Sequence, residues 1–131
     1  MRPIRRFQGF YLRILCLLVM TLVLGCARNQ VRMESYEALP TSSQNRVQTA
    51  VQQYIQCSIQ KVLELDDGQR HVGRLAWTAS ESCVLNKNKI IHAMVQGGTT
   101  NEAAFSYASD MQVKATAAAI TAAQNKRSNN R

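Results

Sequence analysis

A single apolar stretch near the start, I-L-C-L-L-V-M-T-L-V-L-G-C over residues 14–26, decides which part of this chain is free to fold. It follows a head carrying Arg2, Arg5, Arg6 and Arg13 and no acidic residue. A basic head keeps the start of an export signal on the cytoplasmic side of the membrane. From Ile14 to Leu24 only Thr21 interrupts the apolar character. That length falls short of the roughly 20 residues of a spanning helix and within the roughly 7 to 15 of a signal core. The run therefore reads as an address and not as part of the fold.

Its last five residues, Leu22-Val23-Leu24-Gly25-Cys26, resemble the lipobox of bacterial lipoprotein precursors. An aliphatic residue stands three before the cysteine and a small residue directly before it. Val23 and Leu24 depart slightly from the usual pattern. The resemblance covers residues 1–26 and implies diacylglycerol transfer to the Cys26 thiol, cleavage after Gly25, and acylation, typically with palmitate, of the new amino terminus. Several acyl chains on one residue hold a protein on a bilayer, because each buried methylene contributes about 0.8 kcal/mol. Ala27 in place of Asp after the cysteine implies, in such lipoproteins, transfer to the outer membrane, with the domain facing the periplasm or the surface. Two other readings compete. Gly25-Cys26-Ala27 also fits an ordinary signal cut after Ala27, and Arg5-Arg6-Phe7 hints at a twin-arginine signal without the rest of that motif.

Removing residues 1–25 leaves 106 of 131, room for one small domain. It also removes four of the 16 basic residues, so the remainder carries 12 against 8 acidic, a net charge of +4. Lys126, Arg127 and Arg131 then form a basic tail over residues 126–131, suited to acidic lipid or another acidic envelope surface. An envelope location argues against nucleic acid as the partner. With Cys16 lost and Cys26 lipidated, Cys57 and Cys83 remain, and an oxidising compartment pairs them as one disulfide. Two buried free thiols are the alternative; no further ligands at zinc spacing favour a metal.

Residues 26–40 show no sustained periodicity and end in Pro40, which makes them a lipidated tether to a domain over residues 41–125. Thr41 with Gln44 has the capping-box spacing. After it Val47, Val51, Tyr54, Ile55, Ser58, Val62 and Leu65 recur at helical steps, while glutamines take the other faces. Asp66-Asp67-Gly68 ends this helix. Residues 71–77 suit either a short helix or an extended connector. Thr78 with Glu81 repeats the capping spacing and opens a second helix over 79–95, closed by Gly97-Gly98. Thr99 with Glu102 opens a third over 101–125, with a small-residue stripe of Ala104, Ala108, Met111, Ala115, Ala118 and Ala122. The expected fold is all-α: a small antiparallel three-helix domain in which Cys57 and Cys83 cross-link the first two helices.

The stock of catalytic chemistry is thin. His71 and His92 are the two histidines, and Cys83 and His92, nine residues apart, fall on nearly opposite faces of one helix. Neither an enzyme nor a cofactor is expected. Gly97-Gly98-Thr99-Thr100 suits an anion at a helix start, or simply a helix break followed by a cap. Phe105 and Tyr107 stand on different faces of the third helix, so one of them is a candidate partner contact, as are Lys126 and Arg127. In size, lipid anchor, helices and single disulfide the chain resembles the small helical pilotins of secretin systems. That likeness implies an accessory factor binding an envelope protein. An inhibitor or exclusion factor against an incoming enzyme, phage or conjugation apparatus is a second expectation. A structural protein contacting acidic lipid or cell-wall polymer is a third.

Overall fold

The fold is a bundle of three antiparallel rods, the middle one broken, in a computed structural model that describes residues 34–130. The leader, Cys26 and the first part of the expected tether lie outside the described residues. Helix α1 spans Thr41–Leu65, α2 Val72–Ser82, α3 Val84–Gly97 and α4 Asn101–Asn129. The all-α expectation holds, with four helices in place of three.

Helix α1 buries Ser43, Val47, Ala50, Val51, Tyr54, Ser58 and Val62, most of the stripe its periodicity predicts. Ile55 and Leu65 sit at its edge, partly exposed. Its start differs from the expected capping box. Pro40 is the N-cap, and its carbonyl accepts from Ser43 N at 2.8 Å and Gln44 N at 2.9 Å. The Gln44 amide instead reaches back to the carbonyls of Leu39 (3.0 Å) and Glu37 (3.2 Å). With Leu39 buried and Tyr36 stacked on Tyr107, residues 36–40 are packed on the domain and do not behave as a free tether.

The undecided stretch 71–77 is helical. Leu75, Ala76 and Ala79 are buried with Val62, Ala119 and Ala123, and this packing outweighs the helix-weakening Gly73. Thr78 accordingly lies inside α2 and caps nothing, which corrects the expected helix start. The break falls five residues later, at Cys83, where φ −94° and ψ 25° leave the helical range. Cys83 N turns to Ser80 O at 3.2 Å, and Cys83 O restarts the ladder by accepting from Asn86 N and Lys87 N. The Cys57–Cys83 disulfide, with Cα atoms 6.1 Å apart, ties this break to the middle of α1.

The next turn is a close approach. A Cβ on Gly97 would stand 2.8 Å from Leu39 Cδ2 and 3.0 Å from Ser43 Cβ, so only glycine fits there unless neighbours move. Gly98 follows at φ 109°, with Gly98 N on Val95 O and Thr99 N on Met94 O, a left-handed helix ending. The cap of α4 is Thr100, whose Oγ1 accepts from Ala103 N at 3.2 Å, one residue after the expected Thr99. Thr99 is buried, and its hydroxyl has no hydrogen-bond partner among the described residues.

Helix α4 lies against all three others. Its buried line runs Ala104, Ala108, Met111, Ala115, Ala119 and Ala123, so the predicted stripe drifts by one residue in its last turns, where Ala118 and Ala122 are only partly covered. The alanines face the protein's own core and let the rods approach closely. Tyr54, Ile90 and Met94 fill the larger space between them. Tyr54 Oη donates to Ser80 O at 3.3 Å, so its one polar atom is satisfied inside the bundle.

Candidate functional site

Two places on the domain gather polar side chains from distant parts of the chain. The first is the pole where α1 ends. Here Asp66 leaves the helix in extended geometry, and Gly68 at φ 80° turns the chain. The Asp66 and Asp67 carboxylates accept the amides of Gly68, Gln69 and Arg70. The α1 carbonyls left without helical partners are met by cations: Lys126 Nζ donates to Leu63 O at 2.8 Å and Asp66 O at 3.1 Å, and Arg70 to Leu65 O. Arg127 donates from Nε and a terminal nitrogen to the Asp66 carboxylate, at 2.6 Å in the shorter contact, and from a terminal nitrogen to Arg70 O.

The Asp66 side chain is 1% exposed and that of Arg127 25%. Arg127 is the main reason the Asp66 carboxyl is held below the usual aspartate range, and Asp66 in turn raises the Arg127 guanidinium. For Asp67 the leading cause of its lowered value is the amide of Gln69. Residues 126–129 are therefore the last turn of α4 and not a loose basic tail. Lys126 and Arg127, expected as partner contacts, are committed within the domain: they cap α1 and complement its dipole.

The second place is a cleft of about 590 Å³ at the opposite pole, between residues 34–37 and the first turns of α4. Glu34, Glu37, Glu102 and Asp110 line it with Tyr36 and Tyr107. The two tyrosine rings stack with centroids 5.0 Å apart and an interplanar angle of 15°. Burial pushes the Tyr107 hydroxyl up, with Tyr36 and Glu37 adding to the effect. The chain thus separates the two aromatics of α4: Tyr107 is a packing residue that fastens the segment before α1, and Phe105 is 58% exposed. Phe105 is the aromatic of this pair left for contact.

His71, at the N-cap of α2, and His92, on α3, are both exposed, and Cys83 is bonded to Cys57. Among the described residues no group of three or more metal-ligating side chains converges. No described helix is long and apolar enough to cross a membrane. The clamp at the α1 end was not foreseen. Its sequence signal is an acidic pair directly after one helix and a Lys-Arg pair in the last turn of another, opposite charges whose meeting depends on α1 and α4 running parallel. No family model, no curated protein and no solved structure matches the chain.

Proposed function

We propose that this chain is a lipid-anchored envelope protein that works by binding another protein, as an assembly or accessory factor for an outer-membrane or secretion complex. The observation that carries the reading is Leu22-Val23-Leu24-Gly25-Cys26 behind a basic, apolar leader. Acylated Cys26 is the anchor. The Cys57–Cys83 disulfide supports the same compartment, since such bonds persist where the surroundings are oxidising. Exposed Phe105 supports contact through the side of the bundle.

The anchor is tested by Cys26→Ser in cells fed labelled palmitate. The expected result is loss of label and release of the protein from the membrane fraction; undiminished membrane retention overturns the anchor. The binding role is tested by capture of the full chain from solubilised membranes. Recovery of a multimeric outer-membrane ring protein supports the accessory role. Recovery of cell-wall fragments alone, or a deletion that alters phage or conjugation susceptibility while secretion stays intact, overturns it in favour of a structural or an exclusion role.

A further inference from the structure

The two helices of the middle rod are patterned in the sequence as one. Ala76, Ser80, Cys83, Ile90 and Met94 are buried, and with partly buried Lys87 they follow one another at alternating steps of four and three residues. At the helical repeat that spacing is one stripe on one helix. Between Gly73 and Gly97 the chain has neither glycine nor proline, the residues that ordinarily end or kink a helix. The hydroxyls of Ser80 and Ser82 bond the carbonyls of Trp77 and Thr78, inside α2 and short of the break. Of residues 72–97, Cys83 alone stands outside a helix, and Cys83 is the residue that α1 holds through the disulfide.

The bonding at the break points the same way. An unbroken helix would offer Ser80 O to Val84 N. Here that carbonyl accepts Cys83 N at 3.2 Å, in a tighter turn, and the Tyr54 hydroxyl at 3.3 Å. Tyr54 and Cys57 stand one turn apart on α1, so both ties come from the same short stretch of the neighbouring helix. The break is thus applied from outside the rod, and one of the two ties is a bond that thiol chemistry opens.

We propose that the Cys57–Cys83 disulfide is a redox-sensitive hinge pin: closed, it holds α2 and α3 apart at Cys83, and opened by a dithiol it lets them join as one helix over residues 72–97. A thiolate of the dithiol attacks the sulfur of Cys57, which is partly exposed, whereas Cys83 is only 3% exposed. The bond between the two cysteines breaks with its electron pair on the Cys83 sulfur, which takes up a proton. The second thiol of the reagent then displaces Cys57 from the mixed disulfide, so that both cysteines end as thiols and the dithiol as its own disulfide. Freed, Cys83 takes helical geometry and Val84 N takes the Ser80 carbonyl. The first turn of α3, with Val84 50% and Leu85 76% exposed, is then presented differently relative to α2. The inference rests on the disulfide and not on the lipid anchor.

NMR of the full isotope-labelled chain in detergent micelles, before and after dithiothreitol, tests it, with circular dichroism to follow total helix content. On reduction the Cα resonances of Ser82, Val84 and Leu85 should move to helical values. Amide exchange at Val84 should slow about fivefold or more, as one helical hydrogen bond is gained, and reoxidation should reverse both changes. C57S/C83S should show the joined helix from the start and ignore dithiothreitol. A reduced chain that stays folded with its Cα resonances unchanged across the break overturns the proposal, because the break then belongs to the local sequence and packing. So does a chain that loses its helices on reduction, or a folded double variant still broken at position 83.

Discussion

Asp66 shows how much one side chain can organise in a small domain. Its carboxylate is enclosed, accepts a turn amide and takes two nitrogens of Arg127 from the far end of the chain. Because folding lowers its pKa, ionised Asp66 stabilises the native state above the ordinary aspartate range of about 4. That contribution is lost as the pH falls through the depressed folded value. Asp66→Asn should therefore lower the melting temperature by a few degrees at neutral pH. The gap from wild type should close in acid, once the pH has fallen through the depressed folded value and both carry an uncharged group. Thermal melts followed by circular dichroism between pH 2 and 7 check this, and a gap independent of pH would show that packing, not charge, is what Asn fails to supply. The pair was not legible in the sequence, because 61 residues separate Asp66 from Arg127, and the acidic pair and the Lys-Arg pair meet only once α1 and α4 run parallel.

At the scale of elements, the turns carry the sharpest requirements. Gly97 ends α3 where Leu39 and Ser43 approach within contact of a missing Cβ. Gly73, near the start of α2, faces only the ring of exposed His71, at 3.2 Å. The same substitution should then have opposite signs at the two sites. Gly73→Ala should stabilise by about 0.5 to 1 kcal/mol through helix propensity. Gly97→Ala should destabilise by about 1 to 2 kcal/mol, since the clash exceeds that gain. Urea titrations of both variants measure the difference.

The elements also divide according to what governs them. Helix α1 was readable from Val47, Val51, Tyr54, Ser58 and Val62, because one face is wet and the other dry. So was the break at Gly97-Gly98. Three capping-box spacings were present and none formed as expected: Pro40 and Thr100 took over two of the starts, and Thr78 fell inside a helix. A capping pattern states only that a start is affordable there, and burial of Leu75, Ala76 and Ala79 selected a different one. In α4 nearly every position is small, so composition could not discriminate Ala118 and Ala122 from Ala119 and Ala123. Packing partners on α1 and α2 made that choice. Phe105 and Tyr107 were recognised as standing on different faces, but which was free depended on Tyr36, from the segment expected to be a tether.

For the molecule as a whole, the disulfide sits where it has most leverage. It joins the middle of α1 to the one residue at which the middle rod is broken, closing a loop with a sequence separation of 26. Constraint of the unfolded chain by such a loop is worth roughly 3 kcal/mol. Reduction should lower the melting temperature by more than about 10 °C, given the 4 to 8 °C per kcal/mol of a domain this size. Scanning calorimetry with and without reductant, with intact-mass measurement after alkylation to confirm the thiol count, checks the value. A shift of only one or two degrees would mean that the helices hold their arrangement unaided.

The parallel course of α1 and α4 also fixes the distance between the two poles of the described domain. Residues 34–40 lie at the pole where α4 begins, while Lys126 and Arg127 lie at the other. The 29 residues of α4 span about 43 Å at helical rise. The described domain is thus a bundle with the segment before α1 at one pole and the end of α4 at the other. A fluorescent or affinity tag joined after Asn129 therefore samples the pole opposite residues 34–40, and reports on what lies a full rod length from them.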